Sequence, residues 1–267
     1  HVSVSFLFGG FCNAENVKQQ FALRVLSTAA LMAMVSSIAT AAFADTYDLT
    51  KGSVDILAEG GKQYITQWED KGNDTCVKDG EGKEIRDRED SDITLTTKDE
   101  TTDETKTTSN TVTITAEDGN TANVTLQDVD IRQPDSYWSG NTDPAPIEIK
   151  GNGDTNLELN GNNTVLSGNK KHAGIEKADV NGTGTLTIKD DVNDNGKLLA
   201  GGYDSGAGIG GGDGEFADTS NITITGGKIT ASGGYYGAGI GGGEGGNAAN
   251  IRIEGNAHVT AFSDGSA

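Results

Sequence analysis

Aromatic side chains recur in comparable loops of this chain, beside acidic and amide side chains such as Asp135 and Asn141. Aromatic ring faces stack on the C–H groups of sugars, while neighbouring polar groups bind the hydroxyls. We therefore predict a carbohydrate-binding surface, provided that the fold brings these loops to one edge. The alternative is that the rings cover glycine-rich backbone and pack on one another. The candidate residues of this surface are Tyr137, Trp138, Tyr203, Asp204, Tyr235 and Tyr236.

A weaker signal for a metal lies in the segment DVNDNG at 191–196. Alternating side-chain oxygens followed by a turning glycine suit Ca²⁺, and this pattern matches the first half of a calcium loop. The twelfth position is Gly202 rather than glutamate, so the usual bidentate ligand is missing. We predict at most a weak calcium site at Asp191, Asn193 and Asn195, and no other cofactor. A polar turn between two strands is the alternative.

Residues that could perform catalysis do not form a complete set. The segments NTD at 141–143 and DD at 190–191 are similar to the paired carboxylates of polygalacturonases. The GHG and RIK motifs that accompany them are absent, because His172 precedes Ala-Gly and Arg252 precedes Ile-Glu. The GxGxxG match that begins at Gly206 lacks the helix that a dinucleotide site needs. We therefore predict no catalytic residues and no enzymatic activity.

Charge and the N-terminal composition limit where such a surface could act. The 20 basic and 40 acidic residues give a net charge of −20, which argues against nucleic acid as a partner. Lys18 and Arg24 precede an apolar stretch that ends in AFA at 42–44. This is typical of a cleaved signal peptide, with a retained membrane anchor as the alternative. We predict a leader over 1–44, export to the cell surface or medium, and no membrane contact after cleavage.

Repetition is the main structural signal in the chain beyond the leader. The segments SGAGIGGG at 205–212 and YGAGIGGG at 236–243 are nearly identical, and short apolar-polar-apolar runs recur around them at intervals of about 30 residues. Each run has the period of a half-buried strand. Three series of equivalent positions follow: Leu186, Ile222 and Ile251; Leu198, Ile229 and Val259; Ile175, Ile209 and Ile240.

Three short strands per repeat cannot bury a core alone, but copies stacked on one another can. We therefore predict an all-β fold, a right-handed parallel β-helix with three strands per coil. An antiparallel β-sandwich is the alternative. Residues 45–110 are expected to form an N-terminal cap and charged, Thr-rich irregular coils. Residues 111–267 are expected to form the regular coils, and we expect further coils to follow because no capping segment ends them.

From residue 145 onward, the runs APIEIKGNGDTNLELNGNNTVLSG and HAGIEKADVNGTGTLTIKD, followed by the GAGIGGG coils, resemble a known family. The resemblance is to extracellular bacterial β-strand-repeat proteins, which are adhesin-like or labelled as carbohydrate-binding and have a pectin-lyase-like β-helix. It implies secretion and surface display, and it transfers no functional residues. We expect a non-catalytic adhesion or carbohydrate-binding module whose partner is a polysaccharide or a host or cell-surface glycan. A structural stalk is the alternative, and a polysaccharide lyase or hydrolase is a third.

Overall fold

The computed structural model describes residues 45–99, 101–135 and 144–265. They form a parallel β-solenoid of about five turns, with about 33 residues between equivalent positions. The predicted all-β parallel β-helix is therefore confirmed, and the antiparallel sandwich is wrong. Each regular turn contributes one strand to each of three sheets, which we number in the order in which a turn enters them.

The N-terminal strands precede the regular turns. They are β1 (Thr46–Asp48), β2 (Ser53–Glu59), β3 (Lys62–Asp70), β4 (Thr75–Cys76), β5 (Arg88–Glu89) and β6 (Ile93–Thr96). Strands β2 and β3 form an antiparallel hairpin, and β2 also pairs in parallel with the first strand of the regular turns. Sheet 1 is therefore parallel from β2 through the regular turns, and it becomes antiparallel at its N-terminal end, where β3 pairs with β2. In the Thr-rich segment, Ile93 and Leu95 of β6 are fully buried.

The regular turns comprise fifteen strands. Sheet 1 contains β7 (Val112–Ala116), β10 (Ile147–Lys150), β13 (Ile175–Glu176), β16 (Ile209–Gly210) and β19 (Ile240–Gly241). Sheet 2 contains β8 (Thr121–Gln127), β11 (Asp154–Asn160), β14 (Leu186–Lys189), β17 (Thr219–Ile224) and β20 (Ala248–Ile253). Sheet 3 contains β9 (Asp130–Arg132), β12 (Asn162–Leu166), β15 (Lys197–Gly201), β18 (Lys228–Gly233) and β21 (His258–Ser263). Single-turn 3-10 helices lie at Leu49–Lys51, Asp179–Asn181 and Gly214–Phe216.

The pairing register follows the three predicted series. Leu186 pairs with Ile222, Ile229 pairs with Val259, and Ile209 pairs with Ile240. Because side chains alternate across a strand, this register places every second residue in a continuous apolar column inside the solenoid. Most of these residues have no exposed surface, and the column becomes accessible only in the last turn.

The glycine motif is required by the close approach of successive turns. A Cβ atom at Gly208 would lie 2.6 Å from the carbonyl oxygen of Gly239 in the next turn, and one at Gly237 would collide with the carbonyl of Gly206. Only Gly210 and Gly241 of the two motifs also have positive φ, at 135° and 142°. Most of the repeated glycines are therefore required because a side chain would collide with the backbone of a neighbouring turn. Positive φ is a second reason only at Gly210 and Gly241.

Asn163 is a polar residue inside the stack. It is 2% exposed, and its Oδ1 accepts a hydrogen bond of 3.0 Å from Val129 N. Its Nδ2 donates to the carbonyl oxygens of Asn160 and Lys197, each at 3.1 Å. One amide side chain thus joins three successive turns, and it occupies a corner where apolar packing could not satisfy these backbone groups.

The substitution Asn163→Ala should lower the free energy of unfolding by about 3 kcal/mol, because it leaves buried backbone groups without their partners. The measurement is urea denaturation followed by circular dichroism. Asn156→Ala is the matched control, since Asn156 makes an exposed amide contact with Asn123, and it should change stability by less than about 0.5 kcal/mol. Equal effects of the two substitutions would contradict this role for Asn163.

Cys76 lies in β4 with 1% of its surface exposed, and burial raises the pKa of its thiol to about 11. The nucleophilic thiolate is therefore rare at neutral pH, and reagents cannot reach the sulfur in the folded chain. Alkylation of Cys76 by iodoacetamide, followed by mass spectrometry, should be slow in native buffer and rapid in denaturant. Rapid labelling of the native protein would contradict the burial of Cys76 in the folded chain.

Candidate functional site

The loops that leave sheet 3 stack along one edge of the solenoid. Tyr203 and Asp204 follow β15, and Tyr235 and Tyr236 follow β18. The backbone nitrogen of Tyr236 donates a 2.8 Å hydrogen bond to the carbonyl oxygen of Asp204. A Cβ atom at Gly234 would lie 2.5 Å from that same oxygen, so the two loops are in direct backbone contact. The structure therefore brings these four predicted residues together in successive turns.

Tyr235 and Tyr236 present their rings to solvent. They are 53% and 56% exposed, respectively. Their ring centroids are 4.7 Å apart with an interplanar angle of 80°, which is the favourable edge-to-face arrangement of an aromatic pair. Contact between the rings limits their rotation while a large part of each remains uncovered. The two rings therefore remain accessible to solvent, unlike rings that are buried against the backbone.

Tyr203 is held in a different way from the exposed pair. Its Oη donates a 2.9 Å hydrogen bond to Oδ2 of Asp135, which lies two turns away along the solenoid axis. The side chain is half-buried, and its hydroxyl is already engaged. Tyr203 therefore orders the edge and links its loops, whereas Tyr235 and Tyr236 offer the free ring surface. The predicted residues Tyr137 and Trp138, and the nearby Asn141, lie outside the described residues.

The segment predicted as a weak calcium site forms a turn in which two of its oxygens are engaged. Asn195 Oδ1 accepts a 3.1 Å hydrogen bond from Gly161 N, and Asp191 Oδ2 lies 3.1 Å from Lys189 Nζ. The bond to Asp191 raises the pKa of Lys189 above its ordinary value, as expected for an ion pair. A calcium ion would have to displace both interactions. Within the described ranges, no three His, Cys, Asp or Glu side chains are grouped closely enough to hold a metal.

A buried glutamate of sheet 1, Glu176 in β13, contacts a partly buried histidine. Glu176 has no exposed surface, and its Oε2 lies 2.8 Å from His172 Nδ1. The same oxygen accepts a hydrogen bond from Ala173 N at 3.2 Å, and the Phe216 ring packs against the histidine with centroids 5.9 Å apart. Through these contacts Glu176 stabilises the turn that contains His172. No motif in the sequence indicated the pair.

The adjacent carboxylates at 190–191, which resemble a catalytic pair in the sequence, have separate partners. Asp190 Oδ2 accepts a 2.7 Å hydrogen bond from Gly196 N, whereas Asp191 turns to Lys189. The residues at 141 and 143 lie outside the described part of the chain.

A cleft of about 420 Å³ lies where the strands of sheet 3 begin, at the opposite end from the loops that carry Tyr203, Tyr235 and Tyr236. Lys197, Lys228 and His258, which begin β15, β18 and β21, line it together with Asp190 and Asp194. The three basic residues are paired in register, Lys197 with Lys228 and Lys228 with His258. This column was not among the features predicted from the sequence, although each member precedes the apolar residue of the second series by one position.

Calcium provides a direct test of the turn at 191–196. Because two of its oxygens already bind Gly161 N and Lys189, we expect the thermal midpoint to be the same in millimolar Ca²⁺ and in EDTA. The measurement is differential scanning calorimetry in both buffers. A calcium-dependent increase that is lost in Asp191→Asn would show instead that the ion displaces those interactions.

Comparison of the chain with protein-family models, with curated proteins and with solved structures returned no match. In the part of the chain that the structure describes, there is no helix of the length and apolar character needed to cross a bilayer. The structure itself shows a parallel β-solenoid of about five turns.

Proposed function

We propose that this protein is an exported, non-catalytic module that binds carbohydrate through the tyrosine edge formed by Tyr203, Asp204, Tyr235 and Tyr236. The observation that carries the proposal is the exposed, mutually oriented ring pair of Tyr235 and Tyr236. Two large rings left open to water are unfavourable for an isolated protein, and a ligand with C–H faces would cover them.

The surroundings of the ring pair suit a sugar rather than an apolar ligand. Asp204 and Asp264 lie in the loops on either side of the loop that carries the ring pair, and the Ser232 hydroxyl is within 3.2 Å of Asp264 Oδ1. Rings supply contact with the C–H face of a pyranose, and carboxylates accept hydrogen bonds from its hydroxyls. The edge runs along the solenoid, which is a geometry that favours an extended chain of sugars over a single small molecule.

The proposed location and partner rest on sequence features. The predicted leader over 1–44 and the resemblance to bacterial β-strand-repeat proteins support export and display at the cell surface. The partner would be a polysaccharide, or a glycan on a host or neighbouring cell, and the protein would act as an adhesin. No part of this role requires a cofactor or a chemical step.

A structural stalk is the second candidate. The ladder of in-register strands through five turns, with a buried column along its length, favours it, because such a rod can hold another domain away from a surface. A stalk would not need exposed aromatic rings. The two candidate functions therefore differ in whether Tyr235 and Tyr236 bind a ligand.

The double substitution Tyr235→Ala/Tyr236→Ala should weaken glycan binding by about 10- to 100-fold, because the aromatic surface buried by the sugar is lost. The measurement is a glycan array, followed by titration calorimetry with the best ligand. Val180→Ala is the control, since Val180 is 57% exposed in a turn away from the edge, and it should bind normally. Glycan binding unaffected by the double substitution, or no glycan binding by the folded protein, would favour the stalk.

A further inference from the structure

The basic column in the cleft beside sheet 3 is unusual for so acidic a chain. Lys197 and Lys228 occupy directly paired positions on neighbouring parallel strands, which are about 4.8 Å apart. His258 continues the column in the last turn. Like charges in directly opposed positions of a sheet are destabilising, so this arrangement carries an electrostatic cost unless a counter-charge is present.

The described part of the chain does not supply that counter-charge as an ion pair. Within it, no carboxylate lies within 4.0 Å of Lys197, Lys228 or His258, and Lys197 Nζ instead contacts the neutral Asn162 Oδ1 at 3.2 Å. Lys189 shows the contrast, because Glu158 and Asp191 lie 3.4 Å and 3.1 Å from its ammonium group. The net charge of −20 repels polyanions in general, so an anionic polymer can bind only at a local basic column, and these lysines without carboxylate partners form one.

The two carboxylates that line the cleft have different positions. Asp190 is turned toward the backbone, where its Oδ2 accepts the hydrogen bond from Gly196 N. Asp194 is exposed at the rim. The rim carboxylate would repel an anion and accept a hydrogen bond from a hydroxyl, which suits a ligand that carries both groups.

The basic column and the tyrosine edge are the two borders of one surface. Lys228 begins β18 and Tyr235 follows its end, so the six-residue strand places them at opposite sides of a face about 17 Å wide. Between them the outward residues are small, hydroxyl-bearing or apolar, including Leu199, Thr230 and Thr260. Phe262, which is 45% exposed, extends the aromatic border into the last turn.

We propose that this face binds an acidic polysaccharide, whose carboxylates contact the Lys197–Lys228–His258 column while its sugar rings contact the tyrosine edge. The proposal rests on the proposed function and specifies its ligand class. An extended polyanion lying along the solenoid axis meets one basic group per turn, so its charges relieve the repulsion within the column. A neutral glycan could use only the aromatic border.

The test compares alginate and hyaluronan with the carboxyl-reduced, neutral form of each polymer, by biolayer interferometry on the full chain in EDTA. The wild-type protein should bind an acidic form at least about 10-fold more tightly than its reduced form, with affinity that falls as salt rises. Lys197→Gln/Lys228→Gln should remove this preference and leave binding to the reduced polymer unchanged. Asp194→Asn should strengthen binding to the acidic form about threefold.

Lys83→Gln is the matched control, because Lys83 is an exposed lysine in the N-terminal part of the chain, and it should retain the preference. Equal binding of acidic and reduced polymers, or an acidic preference that survives Lys197→Gln/Lys228→Gln, would overturn the inference and leave the proposed function standing. Failure to bind any of the four polymers would also overturn it, and binding of other neutral glycans through Tyr235 and Tyr236 would then still support the proposed function.

Discussion

Backbone pairing between equivalent strands of successive turns fixes the position of every side chain in this solenoid. Each strand is bonded in register to the strand before and after it, so a residue type that recurs at one position of the repeat becomes a column. Inward positions give the apolar core. The glycines of the GAGIGGG segments permit this pairing, because a side chain at Gly208 would separate one turn from the next.

The same register converts short-range sequence features into extended surfaces. One lysine at the start of β15 and another at the start of β18 are unremarkable alone, and together they form a charged line along the axis. The tyrosines after these strands form a second line on the opposite border. A surface built in this way has the repeat of the protein itself, and a repeating polymer is the ligand that we propose for it.

The core and the stacking of the loops could be predicted because residues of one kind recur at equivalent positions, as Ile209 and Ile240 do. The basic column was harder to find, since its members are outward-facing and change from lysine to His258. The antiparallel hairpin of β2 and β3 was also missed. Gly60 and Gly61, with φ of 58° and 75°, form the two-residue turn that would have indicated it. The Glu176–His172 contact depends on a turn whose path no local pattern specifies.

Hydroxyl-radical footprinting of the protein with bound glycan can show whether the ligand covers the aromatic residues along sheet 3. Tyr235, Tyr236 and Phe262 should be oxidised more slowly when the glycan is bound. Val180, which is 57% exposed in the 3-10 helix at Asp179–Asn181, should be oxidised at the same rate with and without glycan. Unchanged oxidation of the aromatic border, together with protection elsewhere on the solenoid, would contradict the account.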